Sequence, residues 1–332
     1  MSTYITLNHI QIQNANCVAG MTFGFPAITH FLGYVHALSR KLEQSHNITL
    51  SGSAISCHQH QVHAYQPKGF GEYIFSLTRN PLTKGGKTAP IIEEGKMHLT
   101  VSLVIQCKGL IEGGEEGLKA LRKHLKQLCL TQKLAGGVIN NIKDVFIETA
   151  NTDEEQIQLT QKIRRRLLPG FLLLDRSQYL QKHLSKLQKI NPKAEMIDAW
   201  LDFTTLKFKG EPVLEDDETL SEKTDANWSY IPKPESGYLV PITTGYRAVT
   251  EVYKAGEIVG ARDPSYPFCF VEAAYGLGEW QSPHRLDNID NALWHYHDEE
   301  GWYLCKNHTT MDSYTTAHED DNFDFILLIN KE

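Results

Sequence analysis

Two runs of period-two alternation, separated by a turn-rich basic segment, constrain this chain more than any other feature. Tyr73, Phe75 and Leu77 alternate before the segment, and Leu99, Val101, Leu103 and Ile105 alternate after it. A side-chain period of two fits half-buried strands. Between them runs Arg79–Pro90 (RNPLTKGGKTAP), with Pro81, Gly85, Gly86 and Pro90 as turn residues. It carries Arg79, Lys84 and Lys87 and no acid. The expectation is a basic loop on a β-hairpin arm, a charge that suits a polyanion such as nucleic acid. A solvated surface hairpin, kept soluble by its lysines, reads the same residues as well.

The length of 332 residues predicts two domains, or one with a large extension. No apolar run reaches the roughly 18 residues of a membrane span. The opening MSTYITLNHIQIQNAN lacks a cationic flank followed by an apolar block, so no secretory signal is expected. Cys17, Cys57, Cys107, Cys129, Cys269 and Cys305 are scattered and form no C-x-x-C. Reduced, mostly buried thiols in a cytoplasmic protein are the natural reading.

Net charge is informative only once it is placed. The whole chain and residues 298–332 alone both carry −7, so residues 1–297 are neutral overall. Within that body, residues 119–189 carry +8 and residues 205–235 carry −4. Such asymmetry bears on partners rather than on fold. The basic belt favours a nucleic acid, and the acidic segments face other proteins or solvent.

The first half suggests a βαββαβ order. Ile5, Leu7, Ile10 and Ile12 make a strand with one slip in its alternation. Pro26 opens a helix in which Ile28, Phe31, Leu32, Val35, Leu38 and Leu42 recur at helical spacing. Residues 54–65 form a second strand, and Leu99–Cys107 a third beyond the arm. Leu118, Leu121, Leu125 and Leu128 mark a second helix, with Lys119, Arg122, Lys123 and Lys126 as a cationic stripe. Leu134–Gly137 (LAGG) ends it, with Gly136 as C-cap. Either Val145–Glu148 or Phe171–Asp175 closes the sheet. The expected fold class is α+β: a ferredoxin-like or RRM-like antiparallel sheet with helices on one face, a thumb-like hairpin and an irregular C-terminal extension. Residues 1–176 would form the RNA-binding domain with the thumb at about 66–97. Residues 177–332 would form a helical and irregular extension for subunit contacts. It would hold an acidic insertion at 211–225 and an acidic tail at 298–332.

Catalytic and metal motifs mostly fail. Gly86-Lys87-Thr88 ends like a P-loop, but Pro81 stands where that pattern needs glycine. His58 and His60 have metal-like spacing, yet no acid or cysteine in the same run completes a set, with Cys57 expected on the opposite face. No metal or cofactor is expected. No G-x-S-x-G, H-E-x-x-H or paired carboxylates stand out, although a ribonuclease site of scattered His, Lys and Tyr would leave no local signature.

Three constellations remain. In Ile12–Asn16 (IQNAN) the amides of Asn14 and Asn16 suit base edges or phosphates, or simply build an Asn-rich turn. Arg164, Arg165 and Arg166 precede Leu167–Phe171 and read as phosphate clamps or as helix-end cations favoured by the dipole. Gly276–Arg285 (GLGEWQSPHR) brings Trp280, His284 and Arg285 together, with Trp280 either stacking on a base or anchoring the core.

The ordered set of these segments resembles the second Csy subunit family, the Cas-five-type members of type I-F CRISPR surveillance complexes. The matching stretches are IQNAN, Gly24–Pro26 (GFP), Gly33–Leu38 (GYVHAL), Leu77–Leu82 (LTRNPL), Glu93–Leu103 (EEGKMHLTVSL), LAGG, Arg165–Phe171 (RRLLPGF), Gly256–Asp263 (GEIVGARD) and GLGEWQSPHR. They span residues 12–285 in the family's order. The resemblance implies a non-catalytic subunit that binds the 5′ handle of the CRISPR RNA. It would pair with the PAM-reading large Csy subunit and cap the repeated backbone Csy subunits, with target DNA beside the PAM as a further contact. The residues expected to hold RNA are Asn14, Asn16, Thr78, Arg79, Asn80, Lys84, Lys87, Arg165, Arg166, Arg262, His284 and Arg285. Two other readings stay open: a crRNA-processing endoribonuclease, as Cas-five-type proteins are in some related subtypes, and an RNA-independent adaptor.

Overall fold

The computed structural model describes residues 2–213 and 224–307. The acidic insertion therefore lies mostly outside the described residues, and the acidic tail does so beyond Asn307. The longer elements run in the order β1 (Ser2–Asn16), α1 (Ile28–His46), β2 (Thr49–Val62), β3 (Ile74–Arg79), β4 (Ile91–Glu94), β5 (Lys96–Lys108), α2 (Gly114–Leu130), β6 (Gly137–Ala150) and α3 (Asp153–Arg166). There follow β7 (Phe171–Asp175), α4 (Gln178–Ile190), α5 (Met196–Thr204), β8 (Lys207–Pro212), β9 (Ala226–Ile231), β10 (Leu239–Ala248), β11 (Val271–Gln281), β12 (Trp294–Glu299) and β13 (Trp302–Asn307).

A mixed α/β architecture results, built on one large antiparallel sheet. Its strand order is β7-β11-β10-β13-β12-β2-β5-β1-β6, with the short strand Lys133–Leu134 at the far edge. Val145–Glu148 falls inside β6 and pairs with β1, whereas Phe171–Asp175 forms β7 on the other side of β2. Both candidates for the closing strand are thus strands of the same sheet. Strand β7 also pairs with β2, through Phe171–Cys57 and Leu172–Ser56, while β12 meets β2 at Trp294–Ser53. Strands β2, β12, β13, β10, β11 and β7 therefore close into a ring.

Alternation decides which face each strand buries. Ile5 and Leu7 of β1 join Val101, Leu103 and Ile105 of β5, Ile142 of β6, and the apolar stripes of α1 and α2 in the main core. Tyr4 and Val104 point the other way, onto Leu159 and Ile163 of α3, its cap residue Leu167, and Leu286–Leu293. The slip in β1 has a backbone cause. His9 and Asn14 adopt positive φ, 50° and 56°, and the β1–β5 register shifts beside each. Each extra residue reverses the parity, so Ile10 and Ile12 return to the core face that Ile5 and Leu7 left.

Several local expectations change. Pro26 sits just before the N-cap Ala27, outside the helix. Helix α2 ends at Leu130 with Thr131 as its cap. LAGG is instead a two-residue hairpin turn: Ala135 (φ 50°) and Gly136 (φ 76°) lie between the paired Leu134 and Gly137. The arm does not pair its first alternating run with Leu99–Ile105. Strand β3 pairs with β4, Arg79 opposite Ile91, while β5 belongs to the central sheet between β1 and β2. The C-terminal extension, expected to be helical and irregular, supplies β10–β13 from Leu239 onward, which complete the ring. Tyr275 and Trp294 are buried there, and its glycines allow close strand contact; a Cβ on Gly245 would lie 1.9 Å from the Tyr303 carbonyl oxygen.

All six cysteines are free thiols. Burial pushes Cys57 and Cys305 up to about 12 and Cys107 and Cys129 up to about 11, so these thiols stay protonated and inert. No helix among the described residues is long and apolar enough to cross a membrane.

Candidate nucleic-acid interface

The polar partners of the core alternation build a cleft. Where Ile12 and Leu99 turn toward the helices, Gln11, Gln13, Gln59, Gln61, His98, Thr100 and Asn140 line an open depression of about 650 Å³. The register sets Gln59 beside Thr100 and Thr100 beside Gln11, with Gln61 beside His98. Such a row presents donors and acceptors without fixed charge, which suits the edges of unpaired bases. Asn14 stands exposed where this row meets the root of the arm, its backbone N–H 3.5 Å from His98 Nδ1. At that root His63 N–H donates to Lys96 O at 2.8 Å and Cys17 N–H to Gly95 O at 3.0 Å. The tip beyond it is closed by Thr83 and Lys87, whose backbones pair at 2.9 Å. Arg79, Asn80, Lys84 and Lys87 are exposed there. Thr78 is half-buried, and its hydroxyl has no hydrogen-bond partner among the described residues.

A second depression, of about 380 Å³, is cationic. It is lined by Gln161, Arg164, Arg165, Leu168 and His284. Helix α3 carries three acids in its first turn and three arginines in its last, so its dipole favours both ends. Arg164 donates to the His284 carbonyl and ties the helix end to the 3₁₀ turn Pro283–Arg285. Arg165, His284 and Arg285 are exposed.

Between the two lies an apolar cavity of about 560 Å³, walled by Phe23, Phe25, Pro26, Phe171, Tyr238 and Trp280 among others. Trp280 packs edge-on against Phe25, ring centroids 4.9 Å apart. His60 belongs to the wall of both the cavity and the amide cleft. A register shift between Cys57 and Gln59 breaks the alternation expected there, so Cys57, His58 and His60 share one wall. Below it, His58 Nε2 lies 2.7 Å from Ser102 Oγ, whose hydroxyl donates to Asn8 Oδ1 at 3.1 Å, while Nδ1 donates to Pro169 O at 2.6 Å. Burial pulls His58 below the usual histidine range, against the opposing pull of that carbonyl. His58 is thus a neutral brace holding the Leu168–Phe171 segment on the sheet.

These depressions carry the motifs read from the sequence. IQNAN supplies Ile12 and Gln13 to the cleft, and GFP supplies Gly24–Pro26 to the cavity. RRLLPGF and GLGEWQSPHR each run from the cationic depression to the cavity. The family model described as CRISPR-associated protein (Cas_Csy2) matches residues 5–305, which include all three depressions and the arm. The chain belongs to the Cas_Csy2 family. It is also 38% identical over 305 residues to the CRISPR-associated protein Csy2 of Pseudomonas aeruginosa strain UCBPP-PA14, covering 89% of this chain and 91% of that one. The resemblance to the second Csy subunit, drawn from nine short motifs, is borne out.

Within this Cas_Csy2 chain the structure separates the expected RNA ligands. Arg79, Lys84 and Lys87 share the arm tip; Arg165 and His284 share the cationic depression, with Arg285 exposed next to His284 in the same 3₁₀ turn; Asn14 sits between the cleft and the arm root. Three others are placed differently. The Asn16 amide is spent on its own turn, donating to Val18 O at 2.8 Å and accepting from Val18 N–H at 3.4 Å. Arg166 makes a bidentate pair with Glu148 and covers the Phe146 ring at 3.8 Å. Arg262 is exposed in the segment after β10, away from these linings. The glutamine row and the cavity aromatics were missed. The Gln11-x-Gln13 and Gln59-x-Gln61 spacing was the signal, since period-two amides on a strand must share a face.

The Arg166 placement has a measurable consequence. Burial alone would raise Glu148, but Arg166 and Lys162 outweigh it and hold the carboxyl below its ordinary 4.5. A carboxylate depressed on folding stabilises the protein above its unfolded value, and that stability disappears as pH falls through the folded value. Arg166→Ala is expected to cost about 1–3 kcal/mol at neutral pH. The variant should also lose less than wild type on acidification to about pH 3.5, read from urea midpoints, with RNA salt dependence unchanged.

Proposed function

We propose that the chain is a non-catalytic, cytoplasmic subunit of a type I-F CRISPR surveillance complex that holds the 5′ handle of the CRISPR RNA. It pairs with the large Csy subunit at the PAM-proximal end, next to target DNA, and abuts the first repeated backbone subunit. The carrying observation is the contiguity of amide cleft, aromatic cavity and cationic depression, reached by five of the family motifs. A single strand laid along them meets base-edge partners, stacking faces and phosphate partners in turn. The strand order β6-β1-β5-β2, with α1 and α2 on one face, supports a ferredoxin-like core for residues 1–176. Residues 177–332 then supply subunit contacts, and the hairpin around 66–97 acts as a thumb. Base pairing elsewhere in the guide reads the target, while this subunit fixes one end of the guide.

The test uses the chain co-purified with its large partner. Handle RNA should bind more tightly than random RNA of equal length, and equal affinities would leave only the adaptor reading. For the endoribonuclease reading, labelled repeat RNA incubated in EDTA should remain intact; a discrete product would reverse the non-catalytic assignment. The Ser102–His58 contact has nucleophile–base spacing, but Ser102 is 0% exposed, so its hydroxyl serves the fold.

A further inference from the structure

Folding leaves three aromatic rings of the cavity in water: Phe23 is 74% exposed, Tyr238 77% and Phe171 50%. Exposed rings gathered at the mouth of a cavity mark a binding surface. Resting on the guide-RNA reading above, we propose that this cavity takes one unstacked base of the bound single strand, held against these rings.

Three observations select a base over an apolar side chain from a protein partner. The first is continuity. His60 forms part of both the cavity and the glutamine-lined cleft, so a strand lying in the cleft reaches the mouth without leaving the surface. Phe23 also meets Phe75 of the arm edge-on, 6.2 Å between centroids, which joins the mouth to the arm. The second is charge. Arg165 and Leu168 line the cationic depression and Phe171 lines the cavity, so one short segment offers a phosphate partner and a stacking face. Gly170 is needed between them, because a Cβ there would lie 2.5 Å from Leu167 O and 2.7 Å from His58 Nδ1. The third is chemistry. The His60 imidazole and the Tyr238 hydroxyl stand among the aromatic walls and form no hydrogen bond among the described residues. A base has polar edges to satisfy them, and an aliphatic anchor does not.

The cavity of about 560 Å³ is large enough for a purine with its sugar. Stacking on protein aromatics is sequence-tolerant, so the cavity selects an unpaired nucleotide at a fixed position along the strand rather than one base identity.

The experiment uses the chain bound to its large partner subunit and handle RNA carrying 2-aminopurine or an abasic residue at each position in turn. One position is expected to change 2-aminopurine fluorescence on binding. Its abasic form should bind about five- to a hundred-fold more weakly. In the double variant Phe23→Ala, Tyr238→Ala, both rings being surface-exposed, that abasic penalty should fall below about twofold while the melting temperature holds. A flat scan with normal RNA affinity overturns the cavity assignment and leaves the RNA-holding function standing. A flat scan in which the double variant sheds the large subunit assigns the cavity to a protein side chain and likewise overturns it. Absence of RNA binding by the wild-type pair overturns both.

Discussion

Replacing Arg79, Arg165 and Arg285 together by alanine is expected to weaken handle-RNA binding about a hundred-fold at 0.1 M salt and to reduce the log–log salt slope by about two units. The magnitude follows from counterion release: each phosphate neutralised on a single strand adds about 0.7 to the slope. These three are chosen because their side chains are exposed and carry no ion pair among the described residues. Their loss therefore removes phosphate contacts without opening the fold. Arg164 and Arg166 are the controls. One is bonded to the His284 carbonyl and the other to Glu148, so their replacement should lower stability more than it flattens the salt dependence. An unchanged slope in the triple variant, measured from 50 to 300 mM salt, would show that the phosphates lie elsewhere.

Trp294→Ala is expected to be the most destabilising single substitution in the C-terminal half. The side chain is 0% exposed, and its indole N–H donates to Leu173 O at 2.9 Å. Trp294 lies where β12 meets β2, and Leu173 lies in β7, which also meets β2. One ring thus fastens both edges of the six-strand ring. Truncating a buried tryptophan costs about 3–5 kcal/mol, a large part of a typical domain stability of about 5–15 kcal/mol. Trp294→Phe keeps most of the apolar area and loses the hydrogen bond, so its cost should be about 1–2 kcal/mol. Urea midpoints at constant slope would measure both. Equal costs for the two variants would show that the hydrogen bond, rather than the packed volume, dominates. Because β7 carries Phe171, RNA affinity should fall in the alanine variant as well.

The central strands and both flanking helices were legible because alternation and helical spacing report directly on which side chains leave water. Even the slip in β1 was visible, although its cause, positive φ at His9 and Asn14, was not. The closing strand could not be chosen from sequence because Val145–Glu148 and Phe171–Asp175 are both strands, on opposite sides of β2. LAGG was misread as a helix cap, since Gly satisfies a left-handed cap and a left-handed hairpin turn alike. The region after residue 238 was taken as irregular because its strands are buried in a closed ring and interrupted by the glycines that ring requires, which erases simple alternation.

The arginine cluster shows the limit most clearly. Three consecutive arginines announced a basic helix end, and nothing local could tell which of them was already spoken for. Glu148 lies 18 residues away from Arg166 in sequence and the His284 carbonyl 120 away from Arg164. Which cations remain available depends on which distant acceptors the fold delivers. The sequence alone settled the family, the strand and helix periods and the basic arm, because these rest on residue order and short-range spacing. Only the tertiary structure decided that a cleft, an aromatic cavity and a cationic depression adjoin, because adjacency is set by strand pairing between segments far apart in the chain.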